Sequence, residues 1–189
     1  MIIIYKIPGE FTDALARVQA YVPQALLAGG CLRDTINDVP VNDIDIFVPA
    51  GQELLAGHLL SDTHPTLGKS IPEPYFTHND DVRSVQYYEG VGYKPVNIIG
   101  VTHGTCTVEK QLSRFDFGIC RIAYDGERLW KDLSFDRDMA DKTFTLTSEF
   151  QTPEQLAYSL GRFERLSGKY PGWKLVRPAP LAPFDFDNI

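Results

Sequence analysis

The stretch that decides the fold is residues 24–48, QALLAGGCLRDTINDVPVNDIDIFV. A short apolar run over residues 25–28 ends in Gly29-Gly30, and a segment of helical character follows over residues 31–36. After a polar turn around Asn37, Asp38 and Pro40, a second apolar run carries Asp43 and Asp45 two residues apart. Side chains alternate faces along a strand, so both carboxylates share one face while Ile44 and Ile46 point to the other, towards a core. Two like charges that close repel each other unless a cation lies between them. Hard divalent ions such as Mg²⁺, which take oxygen ligands, suit such a pair. A Gly-Gly at a strand-to-helix junction lets backbone amides approach a ligand, and the helix N-terminus beyond it favours negative charge. A phosphate cradle beside a dicarboxylate metal site is the layout that phosphoryl transfer uses. Taken singly, the glycines are an ordinary turn and the Asp pair an exposed strand edge.

Taken together, Gly29-Gly30-x-x-Arg33-Asp34 followed by Asp43-x-Asp45 resembles the signature of the DNA polymerase beta-like nucleotidyltransferase superfamily. Within it the pattern is most similar to the head domain of class II CCA-adding enzymes and bacterial poly(A) polymerases. A second stretch, residues 114–125, RFDFGICRIAYD, resembles the head-domain motif R-R-D-F-T-I-N-A-x-A-Y-D. Arg114, Asp116, Phe117, Ile119, Ala123, Tyr124 and Asp125 stand at matching spacings. Phe115 replaces the second arginine, and Gly118, Cys120 and Arg121 stand where the family has Thr, Asn and Ala. As a strand, this segment would place Asp116 and Gly118 on one face and Phe115, Phe117 and Ile119 on the other. An Asp inside such an apolar run is unexpected unless it has a task.

The chain has 189 residues, 43% hydrophobic and 12% aromatic, enough for one well-buried domain. A net charge of −7 and a pI near 5.0 argue against a broad, sequence-independent grip on nucleic acid, leaving room only for a local basic groove. Cys31, Cys106 and Cys120 have no disulfide or metal-ligand spacing, and His58, His64, His78 and His103 are scattered, so neither a zinc site nor a disulfide framework is expected. With no long apolar run, and a start too short and poorly flanked for a signal peptide, the expected setting is the cytoplasm, with no membrane partner.

In chain order, the pattern predicts a strand over residues 2–5 and a helix over residues 13–21 with Thr12 as a cap and Ala14, Leu15 and Val18 inward. A short helix over residues 52–60 would pack Leu55 and Leu59, weakened by Gly57. Residues 61–81 read as a long loop, a candidate flap over the site. Strands are predicted over residues 82–88 and 96–101, a short helix within residues 102–113, a loop carrying Asp132, Asp136 and Asp138, and a strand over residues 142–147. Thr152-Pro153-Glu154-Gln155 has the form of a capping box, opening a helix from residue 153 to about 167 with Leu156, Leu160, Phe163 and Leu166 inward. Residues 1–168 form the predicted domain and residues 169–189 a Pro-rich extended tail. The fold class is α/β or α+β, a mixed sheet flanked by helices.

The resemblance covers roughly residues 25–166 and does not reach the neck, body and tail with which CCA-adding enzymes hold tRNA. It implies attack of an acceptor hydroxyl on the α-phosphate of a nucleoside triphosphate, with pyrophosphate leaving. It implies Mg²⁺ or Mn²⁺ held by the catalytic residues Asp43, Asp45 and Asp116, with a second ion shared by Asp43 and Asp45. It also implies nucleotide contacts from Gly29, Gly30, Arg33, Arg114, Arg162 and Arg165. The acceptor would be RNA such as a tRNA 3′ end, a small molecule or a protein. The other reading, favoured by the altered residues 118–120, is a non-catalytic module binding nucleotide or a protein partner. At residue level, Arg33 and Asp34 could pair with neighbours to stabilise the turn, Asp116 with Arg33 or Arg114, and Arg162 and Arg165 could simply line a solvated helix face.

Overall fold

The computed structural model of the protein describes residues 6–60, 69–70, 81–88, 94–102, 104, 106–147 and 152–177. The elements are α1 (Gly9–Gln19), β1 (Leu26–Ala28), α2 (Gly30–Ile36), β2 (Ile44–Pro49), α3 (Glu53–Leu60), β3 (Lys69–Ser70), β4 (Val82–Tyr88) and β5 (Val96–Val101). They continue with α4 (Val108–Arg114), a 3-10 turn (Gly118–Cys120), β6 (Ile122–Tyr124), β7 (Leu129–Lys131), α5 (Leu133–Asp141), β8 (Thr143–Thr145), α6 (Pro153–Lys169) and β9 (Lys174–Val176). Seven strands make one mixed sheet in the order β3-β4-β5-β2-β1-β6-β7, and β8 pairs with β9 as a separate parallel ribbon. Within the large sheet, β2 and β5 run parallel, and the other neighbouring strands are antiparallel. The architecture is the mixed sheet flanked by helices that the sequence predicts.

Alternation along β2 sorts its side chains between two cores. Ile44, Ile46 and Val48 are fully buried with Leu27, Ile98 and Ile122, under Phe11, Leu15 and Val18 of α1 and Ala56 and Leu60 of α3. Each such side chain contributes roughly 1.5–3 kcal/mol of transfer free energy. Phe47 faces the opposite way, into a smaller cluster with Ala28, Val85, Ile99, Val101 and Ala123, against which Leu112 of α4 and Phe115 pack. Asp45, two residues before Phe47, belongs to this second face.

Several elements depart from the predicted ones for identifiable reasons. Helix α1 starts at Gly9, because Phe11 extends the buried Leu15–Val18 face by one turn; Thr12 lies inside it and donates to the Gly9 carbonyl. In α3 Ala56 and Leu60 are buried and Leu55 is exposed, the Leu59 side chain lies outside the described residues, and Gly57 is where the Tyr88 ring closes on the helix, leaving no room for a Cβ. Residues 114–125 are not one strand. Arg114 ends α4, Phe117 bridges to Leu146, and the 3-10 turn intervenes before β6. Phe115 and Phe117 therefore face different cores, Phe115 against Phe47 and Phe117 against Phe144.

The cause is Asp138, predicted on a loop but fully buried in α5. Its carboxylate accepts from the Ile119 and Thr145 backbone amides and from the Thr143 and Thr145 hydroxyls, tying the 3-10 turn to β8. Asp132 caps the same helix through the Ser134 amide. Helix α6 opens with the expected capping box and continues to Lys169, two residues beyond the expected end. Residues 169–176, expected as the start of a tail, belong to the fold: Tyr170 is buried and β9 pairs with β8. The predicted strand at residues 2–5, most of the 61–81 excursion, the side chains of His58, His64, His78 and His103, and the chain beyond residue 177 lie outside the described residues.

Replacing Asp138 by Ala leaves two backbone amides without acceptors in a dry interior. It should destabilise the protein by about 3 kcal/mol, read from urea unfolding.

Candidate active site

Asp45 lies on the second face of β2 and Asp43 immediately precedes the strand, and the neighbouring strand supplies what holds the pair. Asp45 lies opposite Asn97 in the parallel β2–β5 register. The Asn97 amide donates from Nδ2 to Asp43 Oδ2 at 3.0 Å and to Asp45 Oδ1 at 2.9 Å. One side chain thus bridges both carboxylates. Burial, and then the adjacent Asp43 charge, push the Asp45 carboxyl up to about 7, against the pull of the Asn97 hydrogen bond and of Arg162 and Arg33.

The strand-to-helix turn above this face is built on Gly29. Its φ of +80° and the Phe115 ring, which a Cβ would approach to 2.7 Å, both require glycine. The Gly29 N–H donates to the Ile122 carbonyl. The first intrahelical bond of α2 is from the Arg33 N–H to the Gly29 carbonyl, so the amides of Gly30 and Cys31 precede the helix ladder. Cys31, buried in that first turn, lies against the Asp45 backbone; burial and then the Asp45 charge raise its thiol pKa.

Asp116 follows α4, and its partner is neither Arg33 nor Arg114 but Arg162 of α6, with Nη1 2.5 Å from Oδ1. The same guanidinium stacks near the Phe117 ring, at 5.9 Å from its centre. Burial works against the Arg162 charge, but Asp116, Cys120 and Tyr158 together keep its pKa above the usual value. The Arg162 charge, like that of Arg33, works to lower the Asp45 pKa.

Arg33 is turned inward. It pairs with Asp34 at 2.5 Å, donates to Tyr170 and reaches the Cys120 sulfur at 3.1 Å. Asp34 also takes Lys169 at 2.6 Å and the Tyr170 hydroxyl at 2.7 Å. This buried network fastens the C-terminal end of α6 to α2. Arg114 is not brought to the Asp pair: its guanidinium lies 3.7 Å from Asp81, just before β4 and at the other end of β5 from Asn97. Arg165 is exposed on α6.

The donor set suits a hard cation. The side chains at the pair offer oxygen, and both Asn97 Oδ1 and Asp116 Oδ2 are buried without a hydrogen-bond partner. Among the described residues no three His, Cys, Asp or Glu side chains converge as a ready-made metal cage. Asp43, Asp45 and Asp116 thus do not form the three-carboxylate set expected from the sequence. Asn97 is the residue that the sequence reading missed, although a lone Asn in the apolar run VNIIGV carried the same signal as Asp116.

A charge consequence follows for the cation-free protein. The Asp45 carboxyl titrates near 7 when folded and near 3.8 when unfolded, so it lowers stability progressively as the pH rises from about 4 to about 7. Asp45→Asn should therefore raise the unfolding free energy by about 1–2 kcal/mol at pH 8 in EDTA, and leave it unchanged at pH 4. Denaturant midpoints at the two pH values check this.

The fold has counterparts of known structure. The chain matches a solved "tRNA-processing enzyme (apo form I)" with a TM-score of 0.61 at 20% identity, covering 90% of this chain and 45% of the other. A CCA-adding enzyme with ATP matches at 0.60 and 16% identity, covering 90% and 40%. The Bacillus stearothermophilus CCA-adding enzyme with CTP matches at 0.55 and 17%, covering 90% and 42%. The chain thus spans less than half the length of these structures, and at such identities the likeness shows a nucleotidyltransferase-like fold. No helix among the described residues is long and apolar enough to cross a membrane. No curated protein matches the sequence. The sequence model described as "Gabija anti-defense 2 family protein" matches residues 4–142, most of the chain, and on that match the protein belongs to the Gad2 family.

Proposed function

We propose that the protein is a metal-dependent nucleotidyltransferase that moves a nucleoside monophosphate from a nucleoside triphosphate to an acceptor hydroxyl. The observation that carries the reading is the bridged pair of Asp43 and Asp45, set on one strand face close to the first turn of α2 and within electrostatic reach of Arg162. Asp43 and Asp45 would hold the cation, and Asp116, expected from the sequence as a third ligand, is engaged by Arg162 instead. A divalent ion such as Mg²⁺ bound there neutralises the triphosphate and lowers the pKa of an attacking hydroxyl.

The chain's own groups do the remainder. The Gly30 and Cys31 amides at the start of α2 would receive phosphate oxygens, with Gly29 shaping the turn. Asp116 holds Arg162 in one orientation, so that its remaining N–H groups face the nucleotide as a fixed fork. The Asp34 network keeps α6, and with it Arg162, at a set distance from α2. In the reaction the acceptor oxygen bonds to the α-phosphorus, the bond from that phosphorus to the pyrophosphate oxygen breaks, and the hydroxyl proton passes to water. The solved structures with this fold are named for tRNA processing, and the family for opposing Gabija defence. RNA and the components of that defence are therefore the acceptors to test first, a small molecule next.

A transfer assay with each labelled nucleoside triphosphate, Mg²⁺ or Mn²⁺, and RNA and protein acceptors tests the proposal. Wild type should label one acceptor class, and Asp43→Asn should lower the rate by about a thousandfold or more with the fold retained. Arg162→Ala should chiefly raise the KM for the nucleotide. No transfer by wild type to any acceptor, with nucleotide still bound, would instead favour the non-catalytic module.

A further inference from the structure

Strand β5 reads VNIIGV and lies inside the sheet between β4 and β2. All six of its residues are buried, and Asn97 itself is only 8% exposed. A polar side chain there is unfavourable unless both ends of its amide are engaged. Only one end is. Nδ2 donates to Asp43 and to Asp45, whereas Oδ1 is buried without a partner.

The nitrogen lies 3.0 Å from Asp43 Oδ2 and 2.9 Å from Asp45 Oδ1, between the carboxylates, where a cation shared by them would bind. The two ends of a carboxamide have nearly the same shape and opposite polarity. The NH₂ end suits a carboxylate pair without a cation, because its two hydrogens quiet the mutual repulsion. The oxygen end suits the pair with one, because hard cations accept carbonyl oxygens of Asn as ligands. Half a turn of the terminal torsion exchanges the ends without moving β5.

We propose that Asn97 is a neutral oxygen ligand of the cation site, its amide presenting Nδ2 to Asp43 and Asp45 before the cation binds and Oδ1 to the cation afterwards. The proposal rests on reading Asp43 and Asp45 as cation ligands. It makes Asn97 a ligand contributed by the adjacent strand and leaves Asp116 free to position Arg162. It also sets the charge of the site: a carboxamide adds an oxygen to the two carboxylates without adding a third negative charge, which keeps the affinity for the free ion low until nucleotide phosphates supply the rest.

Binding of Mn²⁺ alone to the whole chain, followed by the electron paramagnetic resonance of the free ion, tests this without any activity measurement. Asn97→Asp should tighten binding by about tenfold or more, and Asn97→Leu should weaken it by a similar factor. In the ¹⁵N-labelled wild type, the Asn97 side-chain NH₂ signals, assigned by their loss in Asn97→Asp, should shift on adding Mg²⁺. The Asp43→Asn/Asp45→Asn protein is the control for the underlying reading: Mn²⁺ bound as in wild type there would overturn the cation site itself. If the control loses Mn²⁺ while Asn97→Asp binds no tighter than wild type, or the NH₂ signals stay in place, the role of Asn97 is overturned and the Asp pair stands.

Discussion

Two carboxylates on one face of a central strand repel each other, and the rest of this structure is arranged around that repulsion. Burial in the second core face and the Asp43 charge hold Asp45 near neutrality, and Asn97 reaches across from β5 to bridge the pair. A protein selected for stability alone would place a Val or Thr at any of these three positions, since a polar group without full satisfaction lowers stability in a sheet interior. Keeping all three makes sense for a site that binds a cation.

The second requirement is that the groups around the pair keep fixed distances although they come from distant parts of the chain. Asp34, Arg33, Tyr170 and Lys169 form a buried network in which each charge has an opposite partner, and it joins α2 to α6. Such networks contribute less to stability than to a unique geometry, because desolvation offsets much of the attraction. Around it, Phe144 packs edge-on against Phe117, Phe163 and Tyr170. The β8–β9 ribbon and Asp138 then hold the 3-10 turn that follows Asp116. The orientation of Arg162 over the site is thus a product of the C-terminal half of the domain, whereas the Asp pair is a product of the N-terminal half.

The elements that were legible from sequence are those whose signal is local. The Asp-x-Asp alternation, the glycine turn, the β4 and β5 runs and the Thr152–Gln155 capping box depend on neighbours within a few residues, and the structure has them where the pattern puts them. Residues 114–125 failed as a single strand because Asp138, a residue with no local sign of burial, draws the Ile119 amide out of line. Asp34 and Arg33 could be read as phosphate or turn residues, but their partners Lys169 and Tyr170 are more than 130 positions away. Asn97 escaped for a different reason: its meaning depends on the register between β2 and β5, which no single-strand pattern contains. Arg114 stood in a family motif, yet its side chain lies beside Asp81 at the far end of β5 from Asn97.

A crystal grown with Mn²⁺ and a non-hydrolysable nucleoside triphosphate, measured at the manganese absorption edge, would locate both ligands at once. The account predicts an anomalous peak within coordinating distance of the Asp43 and Asp45 carboxylates, with the triphosphate over the first turn of α2 and Arg162 beside it. Manganese bound away from that pair, or nucleotide seated on another surface, would contradict it.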